Sequence, residues 1–145
     1  MPVDPLRVLF MCVANSARSQ LAEGIAKAMF GNKMLIESAG SSPSGTIQPW
    51  AVKVLDELGI DISENKSKSC SDLPADFVQR LDFVVTLCAE EVCPVMITKA
   101  RRLHWPIPDP AAAPDEKKSD AFRNARNLIR AKLEQFAVEH QSGSL

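Results

Sequence analysis

The segment CVANSARS, residues 12–19, brings together residue types that can do chemistry on an anion. A cysteine closes an apolar run of strand length, five residues follow, and an arginine and a serine begin a helical pattern. A short loop between a strand and a helix can direct consecutive backbone N–H groups inward as an anion nest, and the helix N-terminus adds its positive dipole end. The segment therefore predicts a binding site for a tetrahedral oxyanion, made by Val13, Ala14, Asn15, Ser16, Ala17 and Arg18.

The side chains of this loop indicate catalysis as well as binding. Arg18 can offer a bidentate fork to two oxygens of the anion. Cys12 is expected beneath the central atom, where the same field stabilises the thiolate, the nucleophilic form of cysteine. Ser19 can donate a hydrogen bond to the Cys12 sulfur, and Asn15 can hold the shape of the loop. The alternative is a Cys12 that only fills space at a strand end, beside a solvated Arg18.

Alternating strand and helix patterns flank the loop and must position it. Short apolar runs predict strands, and longer amphipathic stretches predict helices. The predicted strands are Leu6–Cys12, Met34–Ala39, Phe83–Leu87 and Arg102–Trp105. The predicted helices are Ser19–Met29, Trp50–Leu58, a short one over Ala75–Arg80 and a long one over Ser119–Glu139. This order is typical of a single α/β domain over residues 1–145, with an open, mostly parallel four-stranded sheet and helices on both faces.

Several chemically capable residues fall where predicted strands end. Open parallel sheets bind ligands beyond the carboxyl ends of their strands. Cys12, Ser38 and Cys88 lie at or near such ends, and the Pro-rich loop with Asp109 follows the last strand. We therefore expect all of them at one edge of the sheet.

Composition excludes several classes of protein. The 145 residues carry a net charge of −1, so neither a nucleic acid nor an anionic membrane is an expected partner. The apolar run Val8–Val13 is too short for a signal peptide or a membrane span, and we expect a cytoplasmic monomer. Reduced cytosolic thiols make the four cysteines catalytic, redox-active or buried rather than structural disulfides. Zinc is disfavoured because the cysteine spacing is wrong and only two histidines exist.

Five stretches together resemble one family of proteins. They are VLFMCVANSARSQLAEG, ESAG (residues 37–40), LGID, VVTLC (84–88) and HWPIPDPA (104–111). In this order they resemble the low-molecular-weight protein tyrosine phosphatase superfamily, and within it the arsenate reductases that share its fold. The resemblance implies that the loop binds arsenate or phosphate, that Cys12 attacks in line, and that Asp109 is the general acid. The alternative for Asp109 is a turn-forming residue in an exposed loop.

Two features favour the reductase branch over the phosphatase branch. The phosphatases usually carry an aromatic residue just after Asp-Pro, whereas this chain has Ala111–Ala113 there and no tyrosine at all. The third strand also ends in TLCAEEVC, which separates Cys88 from Cys93 by four residues. The alternatives are a phosphatase that hydrolyses phosphotyrosine or small phosphoesters, with Cys88 as core and Cys93 as an idle thiol, and a non-catalytic oxyanion-binding module.

The resemblance also implies a sequence of thiol reactions. Cys12 displaces an oxygen of arsenate, Cys88 attacks Cys12 and releases arsenite, and Cys93 then takes over the disulfide. A thioredoxin or glutaredoxin, or another small thiol, closes the cycle. The implied catalytic residues are Cys12, Arg18, Ser19, Cys88, Cys93 and Asp109.

A potassium ion is the one cofactor that the resemblance suggests, and no tightly bound group is expected. The matching positions are Asn15, Glu23 and Ser38. All three can equally be capping or solvated residues. Cys70 lies in a polar segment and has no assigned part in the relay.

Overall fold

A computed structural model describes residues 5–89 and 98–140 of the chain. Its strands are β1 (Leu6–Cys12), β2 (Met34–Gly40), β3 (Phe83–Thr86) and β4 (Arg101–His104). Its helices are α1 (Arg18–Phe30), α2 (Pro49–Asp56), the short α3 (Ala75–Gln79) and α4 (Lys118–His140). None of the described helices is both long enough and apolar enough to cross a membrane.

The four described strands form one sheet in the order β2-β1-β3-β4, and every neighbouring pair is parallel. This confirms the predicted α/β architecture. β1 is central because its residues are apolar on both faces: Val8 and Phe10 pack into one core cluster, while Leu9 and Met11 pack into the other. The register aligns Cys12 with Gly40 of β2 and Met11 with Thr86 of β3, so the strand ends lie side by side.

Helices cover both faces of the sheet, as predicted. The larger core joins one face to α1, α2 and α4, and the smaller core joins the other face to α3. α4 can cover the sheet because its buried residues recur every three or four positions and form one stripe. They are Phe122, Ala125, Ile129, Leu133 and Phe136.

Element boundaries differ from the predictions by one or two residues. α1 begins at Arg18 rather than Ser19, and β3 ends at Thr86 rather than Leu87. α2 ends at Asp56 rather than Leu58, because the chain turns there: Gly59 has a φ of 77°, and the Ile60 N–H donates to the Leu55 carbonyl at 3.0 Å. A left-handed residue of this kind often ends a helix.

Candidate active site

The loop between β1 and α1 is held in place by hydrogen bonds to its outward-facing carbonyl groups. Its carbonyl groups accept hydrogen bonds from backbone N–H groups of the segment that follows β2: Val13 from Ser42 at 2.9 Å, Ala14 from Ser44 at 3.0 Å, and Ser16 from Gln48 at 2.9 Å. In a trans peptide, the next N–H points opposite to the carbonyl. The N–H groups of residues 14, 15 and 17 are therefore directed away from these outer contacts, which is the arrangement that an anion nest requires.

Two residues give the loop its tight path. Asn15 has a φ of 49°, in the left-handed region that asparagine tolerates better than most residues, and it is fully buried. Gly40 lies against the loop from β2, where an added Cβ would be 2.4 Å from the Val13 carbonyl oxygen and 2.9 Å from the Asn15 nitrogen. Only glycine therefore allows β2 to approach the loop so closely.

A buried chain of hydrogen bonds leads to the Cys12 sulfur. The Cys12 Sγ and Ser19 Oγ atoms are 2.9 Å apart. The Asn15 amide Nδ2 donates to Ser19 Oγ at 2.8 Å and to Ser38 Oγ at 3.0 Å, and Ser38 Oγ donates to the Glu23 carboxylate. Ser19 Oγ thus accepts from Asn15 and keeps its own proton for Cys12. The network assigns Ser19 as a donor to the sulfur, the polarity that stabilises a thiolate.

Gln20 and Lys68 fix the orientation of the Asn15 amide. The Asn15 Oδ1 atom accepts from Gln20 Nε2 at 3.0 Å and from the Lys68 backbone N–H at 2.9 Å, so the amide nitrogen must face the two serines. The Gln20 Oε1 atom in turn accepts from Asn65 Nδ2 at 3.1 Å. Sequence reasoning missed both residues. Gln20 is fully buried beside Ser19 in the first turn of α1, and only the structure shows this burial.

Arg18 is the first residue of α1, and its guanidinium connects the loop to two other segments. Its side chain is buried, and Nη1 donates to the Ile107 carbonyl at 3.0 Å and to the Leu87 carbonyl at 3.4 Å. Backbone bonds join Leu87 to Met11 and Ile107 to Leu87 at 3.0 and 3.1 Å. The ends of β1 and β3 and the segment before Asp109 therefore meet at one edge, with Arg18 across them.

The described cysteines are in two redox states. Cys12 and Cys70 carry free thiols, whereas Cys88 is in a disulfide. Cys12 and Cys88 are both buried, each 2% exposed. Burial raises the pKa of the partly exposed Cys70 thiol, which makes it a poorer nucleophile at neutral pH. Cys93, the third member of the predicted relay, lies outside the described residues.

Asp109 makes a local contact. Its carboxylate accepts a hydrogen bond from the Ala111 N–H at 3.0 Å and caps a short 3-10 helix, Pro110–Ala112. An apolar groove of about 700 Å³ separates this loop from α4 and is lined in part by Ala112, Ala113 and Leu128. The lining holds no aromatic side chain, so this groove offers no flat wall for a phenyl ring.

The three residues predicted for potassium do come together, but their donor atoms do not suit a cation. Asn15 presents its N–H₂ group to Ser38, and an amide nitrogen cannot ligate a metal ion. The Glu23 carboxylate is met by two ammonium groups: Lys27 Nζ lies 2.7 Å from Oε2, and Lys68 Nζ lies 3.6 Å from Oε1. Among residues 5–89 and 98–140, no cluster of three or more His, Cys, Asp or Glu side chains is placed to hold a metal.

The fold is a parallel α/β sheet in which a buried cysteine ends the β1 strand and a buried arginine begins the helix after the loop. A sequence profile of the family described as "Low molecular weight phosphotyrosine protein phosphatase" matches residues 7–143. The chain belongs to this family.

Within the family, the chain is similar to arsenate reductases. It is 41% identical to an arsenate reductase of Halalkalibacterium halodurans over 90% of this chain and 94% of that protein. A solved structure described as an arsenate reductase in the phosphate-binding state is 30% identical, with a TM-score of 0.74 over 92% of this chain and 98% of the other. A thioredoxin-dependent arsenate reductase of Corynebacterium glutamicum is 28% identical, with a TM-score of 0.69 over 96% of this chain and 66% of the other.

Proposed function

We propose that this protein is an arsenate reductase that uses Cys12, Cys88 and Cys93 in turn. One observation carries the proposal beyond the relatives' activity: Cys88 is oxidised while Cys12 keeps a free thiol. Leu87, the residue before Cys88, donates its N–H to the carbonyl of Met11, the residue before Cys12. Two redox-competent cysteines thus leave neighbouring parallel strands side by side, as an intramolecular transfer between them requires.

The first step is nucleophilic attack on arsenic. Arsenate enters the nest, and the Cys12 thiolate displaces one oxygen, which leaves as water or hydroxide. The product is a Cys12–arsenic(V) adduct. The Ser19 hydroxyl, 2.9 Å from Cys12 Sγ, stabilises the thiolate before attack. The N–H groups of the loop and the α1 dipole stabilise charge on the remaining oxygens.

The second step reduces arsenic. The Cys88 thiolate attacks Cys12 Sγ, the sulfur–arsenic bond breaks, and its electron pair stays with arsenic, which leaves as arsenite. Two thiols have then become one Cys12–Cys88 disulfide. Cys93 attacks Cys88 and returns Cys12 to a free thiol. The observed combination of a free Cys12 and an oxidised Cys88 is the state expected after this transfer and before external reduction.

Arg18 and Asp109 have supporting parts in this scheme. Arg18 binds oxyanion oxygens, and its contacts with the Leu87 and Ile107 carbonyls hold the loop against the segment that leads to Asp109. Asp109 protonates the departing oxygen. Its carboxylate is partly exposed and accepts from the Ala111 N–H, so it is open to solvent as well as held by its own loop.

An external dithiol completes the cycle. A thioredoxin-like protein is the favoured donor because one solved relative is described as thioredoxin-dependent; glutaredoxin with glutathione is the alternative. Both donors belong to the cytoplasm, where we place the protein, as a monomer. Phosphate and arsenate have the same tetrahedral shape, so weak hydrolysis of aryl phosphates is expected as a side reaction through the shared first step.

The decisive assay is arsenate-dependent NADPH oxidation, coupled through thioredoxin and thioredoxin reductase, with a glutaredoxin–glutathione assay in parallel. We expect turnover with the wild type and none with Cys12→Ser. Cys88→Ala and Cys93→Ala should lose reductase turnover and keep aryl phosphate hydrolysis. Cys70→Ala is the matched control, because Cys70 is a free thiol outside the relay, and it should retain full reductase turnover.

Two results would contradict the scheme. Full arsenate turnover by Cys88→Ala would remove Cys88 from the relay. Silence with both donors, together with rapid aryl phosphate hydrolysis, would make the protein a phosphatase and its Cys88 disulfide incidental.

A further inference from the structure

Glu23 is a buried carboxylate that the thiol chemistry does not use. Its side chain is 4% exposed and accepts a hydrogen bond from Ser38, which belongs to the network that ends at Cys12. A buried carboxylate is strongly unfavourable unless a positive charge compensates it. The group that supplies this positive charge therefore helps to position the anion-binding loop.

Two lysines meet Glu23, and they differ in their surroundings. Lys27 lies one turn along α1, 2.7 Å from Glu23, and its side chain is 52% exposed, so water screens its charge more than that of a buried ammonium group. Lys68 comes from the segment after α2, and its side chain is only 21% exposed. Its Nζ atom lies 3.6 Å from Glu23 and 3.8 Å from Glu37, between two carboxylates.

Lys68 is also tied to the loop through its backbone. Its N–H donates to the Asn15 Oδ1 atom at 2.9 Å, and its carbonyl accepts from the Gly40 N–H at 2.9 Å. These bonds fix the main chain of Lys68 beside the loop and bring its ammonium group to Glu23. Because methionine and arginine at position 68 both keep the backbone N–H and C=O bonds, these substitutions change the side chain alone.

We propose that the Lys68 ammonium is the resident cation of the Cys12 loop, a positioning group that neutralises Glu23 where the sequence suggested potassium. The observed donor set supports this, since Asn15 turns its oxygen toward Lys68 N and Gln20 and its nitrogen toward Ser38. The loop then needs no alkali cation. The inference concerns the site of the proposed reductase, but its test uses phosphate binding and stability, so it can fail independently of arsenate turnover.

The test compares the full-length wild type with three variants in KCl and in choline chloride at equal ionic strength. Lys68→Met removes the charge and keeps the length of the side chain. Lys68→Arg keeps the charge. Lys66→Met is the matched control, since Lys66 lies two residues away, is exposed and forms no ion pair with any described residue. Calorimetry measures phosphate affinity, and thermal unfolding measures stability.

We expect the phosphate affinity and melting temperature of the wild type to be the same in both salts. Lys68→Met should weaken phosphate binding roughly threefold to tenfold, which lies within the range usual for coupled positions in one network. Lys68→Arg should restore most of the affinity, and Lys66→Met should match the wild type. In a Glu23→Gln background, Lys68→Met should have much less effect, because the charge that it neutralises is gone.

Either of two results would overturn the inference. A wild type whose phosphate affinity or stability rises in KCl relative to choline chloride would show that potassium, not Lys68, supplies the charge. A Lys68→Met variant that equals Lys66→Met in affinity would show that Lys68 is an ordinary surface residue.

Discussion

Two networks of charged side chains in this molecule have similar components and different surroundings. In each, one glutamate meets two basic residues. The inner network, beneath the Cys12 loop, joins Glu23 to Lys27 and Lys68, and the outer network joins Glu57 after α2 to Arg123 and Arg126 of α4. The Glu23 side chain is 4% exposed, and that of Glu57 is 39% exposed.

Both ion pairs of the outer network are short, whereas the inner network has one short pair and one long pair. Arg123 Nη2 lies 2.6 Å and Arg126 Nη1 2.7 Å from the Glu57 oxygens. In the inner network Lys27 lies 2.7 Å and Lys68 3.6 Å from the Glu23 oxygens. Water screens the outer pairs, so short distances there contribute little. The inner network matters more because it is linked to Asn15, which positions the loop: the Lys68 backbone N–H donates to Asn15, and Ser38 connects Asn15 to Glu23. Burial and connection to the site, rather than ion-pair distance, decide which network affects function.

The largest expected effect comes from a substitution that disturbs the contact between β2 and the Cys12 loop and leaves every charge in place. Gly40→Ala places a Cβ atom 2.4 Å from the Val13 carbonyl oxygen, so the loop or β2 must shift. A displacement of this kind can cost roughly a hundredfold in activity, and we expect a similar loss of phosphate affinity by calorimetry.

Gly45→Ala is the control for the Gly40 substitution. Gly45 has a φ of 90° and no atom within 4 Å of an added Cβ, so alanine there introduces backbone strain without a clash. It should lower the melting temperature and leave phosphate affinity unchanged. Equal affinities for both variants would mean that the close approach of β2 is unnecessary.

A smaller effect is expected at the end of the inner hydrogen-bond chain. Ser19→Ala removes the donor to Cys12 Sγ, and a hydrogen bond to a charged group contributes about 1.5–3 kcal/mol. Alkylation of Cys12 by iodoacetamide at neutral pH, in a Cys70→Ser background, should slow by roughly tenfold or more. The exposed Ser42 serves as control, and Ser42→Ala should react at the parent rate. An unchanged rate in Ser19→Ala would mean that the network does not stabilise the thiolate.

The smallest effect is expected in the outer network. Glu57→Gln removes the charge between Arg123 and Arg126, and we expect only a slight fall in melting temperature at pH 7 and unchanged phosphate affinity. Hydrogen bonds from Arg123 and then Arg126 lower the pKa of Glu57 from 4.5 to about 2. Because the folded-state pKa is lowered, this stabilisation is present above pH 4.5 and is lost as the pH falls toward 2.

The pH dependence gives the Glu57 prediction its own measurement. Thermal unfolding between pH 7 and pH 2 should bring the curves of the wild type and Glu57→Gln together at the acid end. A gap that persists at pH 2 would mean that Glu57 acts through packing rather than charge. A loss of phosphate affinity in Glu57→Gln would contradict the separation between the two networks.

Sequence alone was sufficient to predict the features that depend on residues close together along the chain. The apolar run of β1, the loop 12–19 and the start of α1 follow from periodicity and spacing along one short stretch. The alternation of strands and helices likewise predicted a parallel sheet with its strand ends at one edge. The structure confirms these elements, with boundary shifts of one or two residues that reflect turns such as that at Gly59.

Tertiary structure decided the contacts that join distant parts of the chain. Lys68 reaches Asn15 and Glu23, and Arg18 reaches the carbonyls of Leu87 and Ile107, through separations that no local pattern encodes. These pairings depend on the strand order β2-β1-β3-β4, which brings the ends of three strands beside one loop. The residue types of the site were readable from the sequence because their chemistry is intrinsic. Which cation lies beside Glu23 was not, because a neutralising charge is recognised only by its position in space.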